Sequence, residues 1–173
     1  MGLLREATEA DFEEIVEISK SDGFEHPNTP TLEWVKNRCV LGDRFYVYVG
    51  DAPKSCISEH SENQTKKPED FRGEELGDIK GFICFQPKFA RGSRLHFLSV
   101  SQSEQGKGIG SALLEEAEKM SRNHEKNLIY LYVHQKNKKA VNFYLKQGFN
   151  FSGIFLDKYG EGENALLMCK KLD

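Results

Sequence analysis

Long apolar runs are missing from this 173-residue sequence, and none approaches the roughly 20 residues that a bilayer-spanning helix needs. The first residues also lack the charged, apolar and small-residue pattern of a secretory leader. Cysteine is sparse: Cys39, Cys56, Cys84 and Cys169 stand singly, with no C-x-x-C pair to suggest a zinc or redox motif. Cys84 and Cys169 sit inside apolar runs, as small buried hydrophobes would. The five histidines show no metal-ligand spacing, so no metal site is expected. A basic excess is missing too. Lys plus Arg number 24 against 27 for Asp plus Glu, a net charge of −3, which argues against a nucleic-acid partner. The expectation is a reduced, cytoplasmic chain with no membrane or nucleic-acid association.

What is present is an ordinary globular balance, 38% hydrophobic and 29% charged, in a length that suits one domain with a real core. LLREA (3–7) reads as a strand, and TEADFEEIVEIS (8–19) as an amphipathic helix with Thr8 as cap. TLEWVKNRCVL (31–41) is again helical. RFYVYVG (44–50) and IKGFICFQ (79–86) are aromatic and β-branched strands. Between them, roughly residues 52–78 are polar and without periodicity, which reads as a mobile excursion from the domain. RLHFLSV (94–100), NLIYLYVH (127–134), FNFSGIFLD and NALLMCKKL are further strands, the last two around the turn KYGEGE (158–163). Helices are expected from about Ile109 to Arg122 and from Asn137 to Gly148. Together these predict an α+β, three-layer fold, with a mixed, mostly antiparallel sheet of about seven strands and helices on both faces.

Glycine is concentrated at one place. EQGKGIGSALLEEA (104–117) puts glycines at 106, 108 and 110, after a strand and straight before a helix. The first turn of a helix offers unpaired N–H groups and the positive end of its dipole, a ready seat for phosphate. The Walker loop does not fit, because Lys107 is followed by Gly108 and no hydroxyl is placed for magnesium. The dinucleotide fingerprint G-x-G-x-x-G fails as well, since the spacing here is G-x-G-x-G. A tight turn with glycines of purely steric purpose is the alternative.

With these residues in view, LSVSQSEQGKGIGSALLEEA resembles the cofactor-binding motif of the GNAT-type N-acetyltransferases, Q/R-x-x-G-x-G/A after the fourth strand. A second stretch, LYVHQKNKKAVNFYLKQGF (131–149), is similar to their N-x-x-A-x-x-F-Y-x-x-x-G-F pattern through Asn137, Ala140, Phe143, Tyr144, Gly148 and Phe149. The resemblance implies acetyl-coenzyme A as co-substrate and a sheet splayed between its fourth and fifth strands. It implies a pantetheine arm beside Leu98, Ser99 and Val100, with a main-chain N–H near Leu98 for the oxyanion. The diphosphate would lie on Gln105, Gly106, Lys107, Gly108, Ile109, Gly110 and Ser111, with Asn137 bonding the cofactor arm. Tyr144 matches the family tyrosine near the sulfur and would serve as acid towards the departing thiolate.

The base is not given by the motif. Arg94 stands where some relatives carry a glutamate, and arginine cannot accept a proton. His96 lies two residues on, on the same side in a regular strand, and a histidine suits that work. A structural histidine is the alternative, and a bulge would break the face argument. His134, His26, Glu33 and Tyr159 are further candidates. Lys138, Lys139 and Lys146 are either solvated or near the nucleotide's 3′-phosphate. The acceptor, a small-molecule or protein amine, is left open; Glu25, Glu33, Glu161 and Glu163 in the variable loops would suit a cationic one. A transferase of a longer acyl group and a non-catalytic acyl-coenzyme A sensor are the other readings, and the family resemblance leaves a homodimer open.

Overall fold

Alternation along the strands decides the layers. Phe45 and Val47 face one way and Tyr46 the other; in the facing strand Phe82 and Cys84 share the first face while Ile83 and Phe85 share the second. Each face therefore needs its own cover of helices. The computed structural model describes residues 2–21, 23, 29–50 and 77–173. Its elements are β1 (Leu3–Glu6), α1 (Phe12–Lys20), α2 (Leu32–Val40), β2 (Arg44–Val49), β3 (Ile79–Phe89), β4 (Gly92–Val100), α3 (Ile109–Asn123), β5 (Leu128–His134), α4 (Lys138–Lys146), β6 (Asn150–Phe155) and β7 (Ala165–Lys171). Except for residues 77 and 78, the expected excursion lies outside the described residues, as do Glu25, His26 and Cys56.

The seven strands form one sheet in the order β1-β2-β3-β4-β5-β7-β6. Only β4 and β5 run parallel among its neighbours; the other pairs are antiparallel. Helices α1 and α2 cover one face through Phe12, Ile15, Ile18 and Val35. Helix α3 covers the other through Ile109, Leu113, Leu114 and Ala117, and α4 joins it through Tyr144. Burying one such side chain contributes about 1.5–3 kcal/mol, so each helix is held by its apolar stripe.

Local signals set most element ends. Thr31 Oγ1 accepts from Trp34 N–H at 3.1 Å and starts α2, and Asn137 Oδ1 accepts from Ala140 N–H at 3.0 Å and starts α4. Gly148, at φ 87°, ends α4. The entry to α1 differs from expectation. Residues 9–11 form a 3-10 turn first, with Thr8 as its cap in a capping box with Asp11, and the Thr8 hydroxyl also donates to the Asp11 carboxylate at 2.9 Å. Asp11 is already drawn to Arg5 by two 2.7 Å hydrogen bonds, and it takes the Thr8 N–H as well.

Two irregularities shape β4. Its first, against β3, is near Pro87, which has no N–H for the ladder; Ser93 Oγ donates to the Pro87 carbonyl at 2.9 Å instead. The second is a bulge: Cys84 pairs with Phe97 and Phe85 with Leu95, leaving His96 as the extra residue. Pairing of β4 with β5 runs only from Ser93–Ile129 to Leu95–Leu131, and beyond it the strands part. The bulge falls where the pairing stops, and a bulge bends its strand, so it accounts for the splay.

Glycine 81 fits the far end of β4 onto α3. A Cβ there would meet Ser99 O at 2.9 Å, Val100 Cγ2 at 3.1 Å and Ile109 Cγ2 at 3.2 Å. Gly81→Ala is expected to destabilise the chain by about 1–3 kcal/mol, read from the midpoint of urea unfolding, because backbone must shift to admit the methyl group.

Candidate active site

Parting of β4 from β5 opens a cleft of about 1090 Å³ that runs from the glycine loop to the β6–β7 turn. One end is lined by Gly106, Gly108 and the first turn of α3, with Lys138 and Lys139 from α4 opposite. The middle is lined by Leu98, Val100, Phe143 and Tyr144, and the other end by Trp34, Arg94, His96, Tyr132, Lys158 and Tyr159. Residues of both sequence motifs thus meet in one cavity.

The three loop glycines have different reasons to be there. Gly106 and Gly108 adopt φ of 81° and 87°, where L side chains are strained, and a Cβ on either would point into open space. Gly110 differs from both: a Cβ there would make ordinary contacts, 3.4 Å from Phe143 and 3.6 Å from Leu98, where α3 faces α4 and β4. Among the described residues, the N–H groups from Gly106 to Ser111 make no main-chain hydrogen bond before the α3 ladder begins with Ala112 N–H to Gly108 O. They form an anion cradle with room above it, which fits a diphosphate. Lys107 pairs with Glu104 at 3.0 Å and is more than half exposed, so it behaves as a solvated lysine. Ser111 Oγ accepts from Gln147 Nε2 at 3.0 Å and ties α3 to the end of α4. Gln105 Nε2 donates to the Val100 carbonyl at 3.1 Å.

Strand alternation sorts the main-chain groups of β4. Ser101 N–H donates to Lys80 O on β3 at 3.0 Å, so Ser99 also turns its N–H to β3. Leu98 and Val100 turn theirs to the opposite edge, which β5 has left. Of the three residues expected beside a pantetheine arm, Leu98 and Val100 present main-chain groups to the cleft, whereas the polar main chain of Ser99 belongs to the ladder. Asn137 caps α4 with its Oδ1, as above, and lines the cleft.

Tyr144 is buried between Phe143 and Phe149, with ring centroids at 5.2 and 5.4 Å. Burial, with a smaller contribution from Tyr159, pushes its phenol well above the usual range, so it is protonated throughout the working range of pH.

His96 does reach the cleft, but not by alternation: across the bulge Leu95 belongs to the α3 face and Phe97, two residues on, to the α1–α2 face. Its Nε2 accepts from Arg38 Nη2. Asp43 Oδ2 stands 3.5 Å from the same nitrogen, yet this carboxylate is committed to Arg38 Nε. Burial first, then the charges of Arg38, Arg94 and Lys158, lower the imidazole to about 3. A lone pair already engaged by a guanidinium, on so weak a base, is poorly suited to take a proton from an ammonium group.

Of the other base candidates that the structure describes, His134 is engaged, and Tyr159 Oη donates to the Tyr132 carbonyl at 3.5 Å. His134 Nδ1 accepts from Lys136 N–H at 3.1 Å, its Nε2 lies 2.9 Å from Glu163, and its ring packs on Tyr159 at 5.2 Å. Glu163 further pairs with Lys136. Neither Glu33, Glu161 nor Glu163 lines the cleft, so the acidic pocket suggested by the loops is not formed by these residues. Sequence reading had not seen the Arg38–Asp43–His96 contact, which joins residues far apart in the chain, or the part played by Lys158. Among the described residues no group of metal-binding side chains assembles, and no helix is long and apolar enough to cross a membrane.

Comparison with known proteins places this architecture. Residues 42–149 match the model of the acetyltransferase (GNAT) family. The chain belongs to that family. It is 34% identical over 90 residues to a 5-NmdU N-acetyltransferase of Pseudomonas phage PaMx11, covering 51% of this chain and 61% of that protein. It is 27% identical over 179 residues to an N-alpha-acetyltransferase of Sulfolobus acidocaldarius, covering 98% and 92%. Its fold superposes with a TM-score of 0.69 on the PaiA N-acetyltransferase of Thermoplasma acidophilum in complex with coenzyme A, at 19% identity and 99% coverage of each chain. The chain spans only 61% and 48% of the length of the first two curated relatives that it matches.

The His96 environment has a consequence for stability. The unfolded imidazole takes a proton near 6.5 and the folded one only near 3, so between these values the unfolded state binds more protons. This contribution is complete above pH 6.5 and is lost as pH falls towards 3. Asp11, held low despite its burial by hydrogen bonds from Arg5 and Thr8, adds a loss of the same sign at more acid pH. Urea unfolding between about pH 4.5 and 6.5 is therefore expected to show a slope that His96→Gln flattens, on the order of 1–3 kcal/mol across the window.

Proposed function

We propose that this chain transfers the acetyl group of acetyl-coenzyme A to a primary amine by direct attack. The observation that carries the reading is the joining, in one cleft, of a diphosphate-sized N–H cradle at Gly106–Ser111 with the unpaired edge of β4 and the buried phenol of Tyr144. The co-substrate supplies an activated thioester; the chain's own residues hold, aim and polarise.

The N–H groups of Gly106 to Ser111 and the α3 dipole would hold the diphosphate, with Lys138 and Lys139 adding positive charge from the facing helix. Leu98 and Val100 would bind the pantetheine amide like a short added strand, because β5 has vacated that edge. The Leu98 N–H then stands where negative charge builds on the thioester oxygen, and a fixed donor in a dry cleft stabilises such charge strongly. Asn137 keeps its Nδ2 for the arm while its Oδ1 caps α4.

Tyr144 would donate to the departing thiolate. A thiol is more acidic than a buried phenol, so the stabilisation is chiefly a strong hydrogen bond held through the transition state. As the N–C bond forms and the C–S bond breaks, the proton shed by the attacking nitrogen ends on the thiol sulfur by way of solvent. His96 is kept neutral by its surroundings, so the acceptor's ammonium proton is lost to water before attack, and His96 acts through position alone. Exposed apolar side chains on the edge strand β6, Phe151, Ile154 and Phe155, offer a surface for a homodimer.

Isothermal calorimetry with acetyl-coenzyme A and with its free thiol is expected to show binding by both, weakened at least about tenfold in Gly108→Ala, which strains the cradle. Absence of binding in the unaltered chain would remove the reading. Tyr144→Phe is expected to lower kcat by about 10²–10⁴-fold in a thiol-release assay while the unfolding midpoint stays close to that of the parent. Equal turnover would end its catalytic role.

A further inference from the structure

The end of the cleft away from the glycine loop is positively charged, in a way the acyl-transfer chemistry does not require. Arg94 lies in the cleft wall with its guanidinium carbon 5.6 Å from the Phe89 ring centre and 5.5 Å from that of Tyr132. Its Nε is buried and makes no hydrogen bond. Lys158, on the β6–β7 turn, holds its ammonium 4.5 Å from the same Tyr132 ring, with Phe155 and Tyr159 at 5.3 and 6.0 Å. Among the described residues neither cation has a carboxylate partner, whereas the neighbouring Arg38 and Lys136 are matched by Asp43 and Glu163.

Aromatic faces steady these cations but offer no acceptor for their N–H groups. A buried donor without an acceptor is costly, and few such groups persist without a reason. No carboxylate lines this end among the described residues; the one acidic side chain that borders the cleft is Glu104, beside the glycine loop. Burial and the Arg94 charge lower the Lys158 ammonium, as expected of two cations placed together without an anion.

We infer that the acceptor is an amine that also carries a carboxylate, which Arg94 and Lys158 hold while the amine faces Leu98 and Tyr144. The inference rests on the acyl-transfer reading above. An arginine fork matches a carboxylate in two parallel hydrogen bonds, and the lysine adds a point charge. A polycationic amine would instead meet like charge at this end. The carboxylate has two sources: the α-carboxylate of a free amino acid, or an acidic side chain near the N-terminus of a peptide.

The test is a thiol-release assay of the full chain with acetyl-coenzyme A and paired acceptors. Glutamate is set against glutamine amide, a Glu-initiated peptide against its Gln-initiated twin, and spermidine serves as the cationic control. The carboxylate-bearing member of at least one pair is expected to show kcat/KM higher by about tenfold or more, mainly through KM, with the advantage shrinking as salt is added. An advantage confined to the free amino acid assigns the α-carboxylate, and one confined to the peptide assigns the acidic side chain. Lys158→Gln, on an accessible turn, is expected to remove most of the advantage while calorimetric binding of acetyl-coenzyme A is unchanged. Arg94→Gln is expected to do the same, and Lys158→Gln carries the test if that variant fails to fold. Equal rates within both pairs, no turnover of any carboxylate-bearing acceptor, or a preference for spermidine would overturn the inference while intact coenzyme binding left the wider reading standing. Loss of coenzyme binding by the parent chain would instead strike the acyl-transfer reading itself.

Discussion

Parting of two parallel strands is the constraint on which this molecule depends. β4 and β5 share only the register from Ser93 to Leu95, and the bulge at His96 turns β4 away just where that register ends. A sheet edge with unpaired N–H and C=O groups is ordinarily a liability inside a fold. Here the edge lines a cleft whose walls include residues of α2, α3 and α4, and Gln105 Nε2 takes up the Val100 carbonyl. The same bend carries Leu95 and Phe97 to opposite cores, which anchors the kink in buried apolar contacts on both faces.

Charge is distributed along the cavity in a consistent way. At the glycine loop the positive character comes from backbone: unpaired N–H groups and a helix dipole, which need no side chain and leave room for a bulky anion. In the middle the lining is apolar and the one acidic hydrogen belongs to a phenol whose ionisation burial suppresses. At the far end the positive character comes from side chains, Arg94 and Lys158, set on rings. Burial first, then the charges of Arg38, Arg94 and Lys158, keep the His96 imidazole neutral. On the acyl-transfer reading proposed above, the neutral His96 leaves the acceptor to arrive already deprotonated.

Two packed glycines, Gly81 and Gly92, complete the frame. Gly81 has no unusual φ; it is small because β3 approaches β4 and the start of α3 too closely for a methyl group. Gly92 does the same at the closed end of the splay, where a Cβ would stand 2.6 Å from the Leu128 carbonyl. Closeness at that end and the bulge a few residues later are what let two strands be bonded and separated within one short span.

Local order was legible in the amino-acid sequence. Period-two alternation in β2 and β3, the caps Thr31 and Asn137, the stop at Gly148 and the strand–glycine–helix order of the anion cradle all depend on near neighbours. Each of these was read from residues a few positions apart. The two family motifs were legible for the same reason, since each is one continuous stretch. Partnership was not legible. Residues 38, 43 and 96 meet only after the sheet has closed, the bulge at His96 depends on the register of β3 against β4, and the placing of Lys158 over Tyr132 depends on β7 lying between β5 and β6. Side-chain protonation and the charge of a pocket are set by burial and by neighbours distant in the chain, so they belong to the tertiary structure.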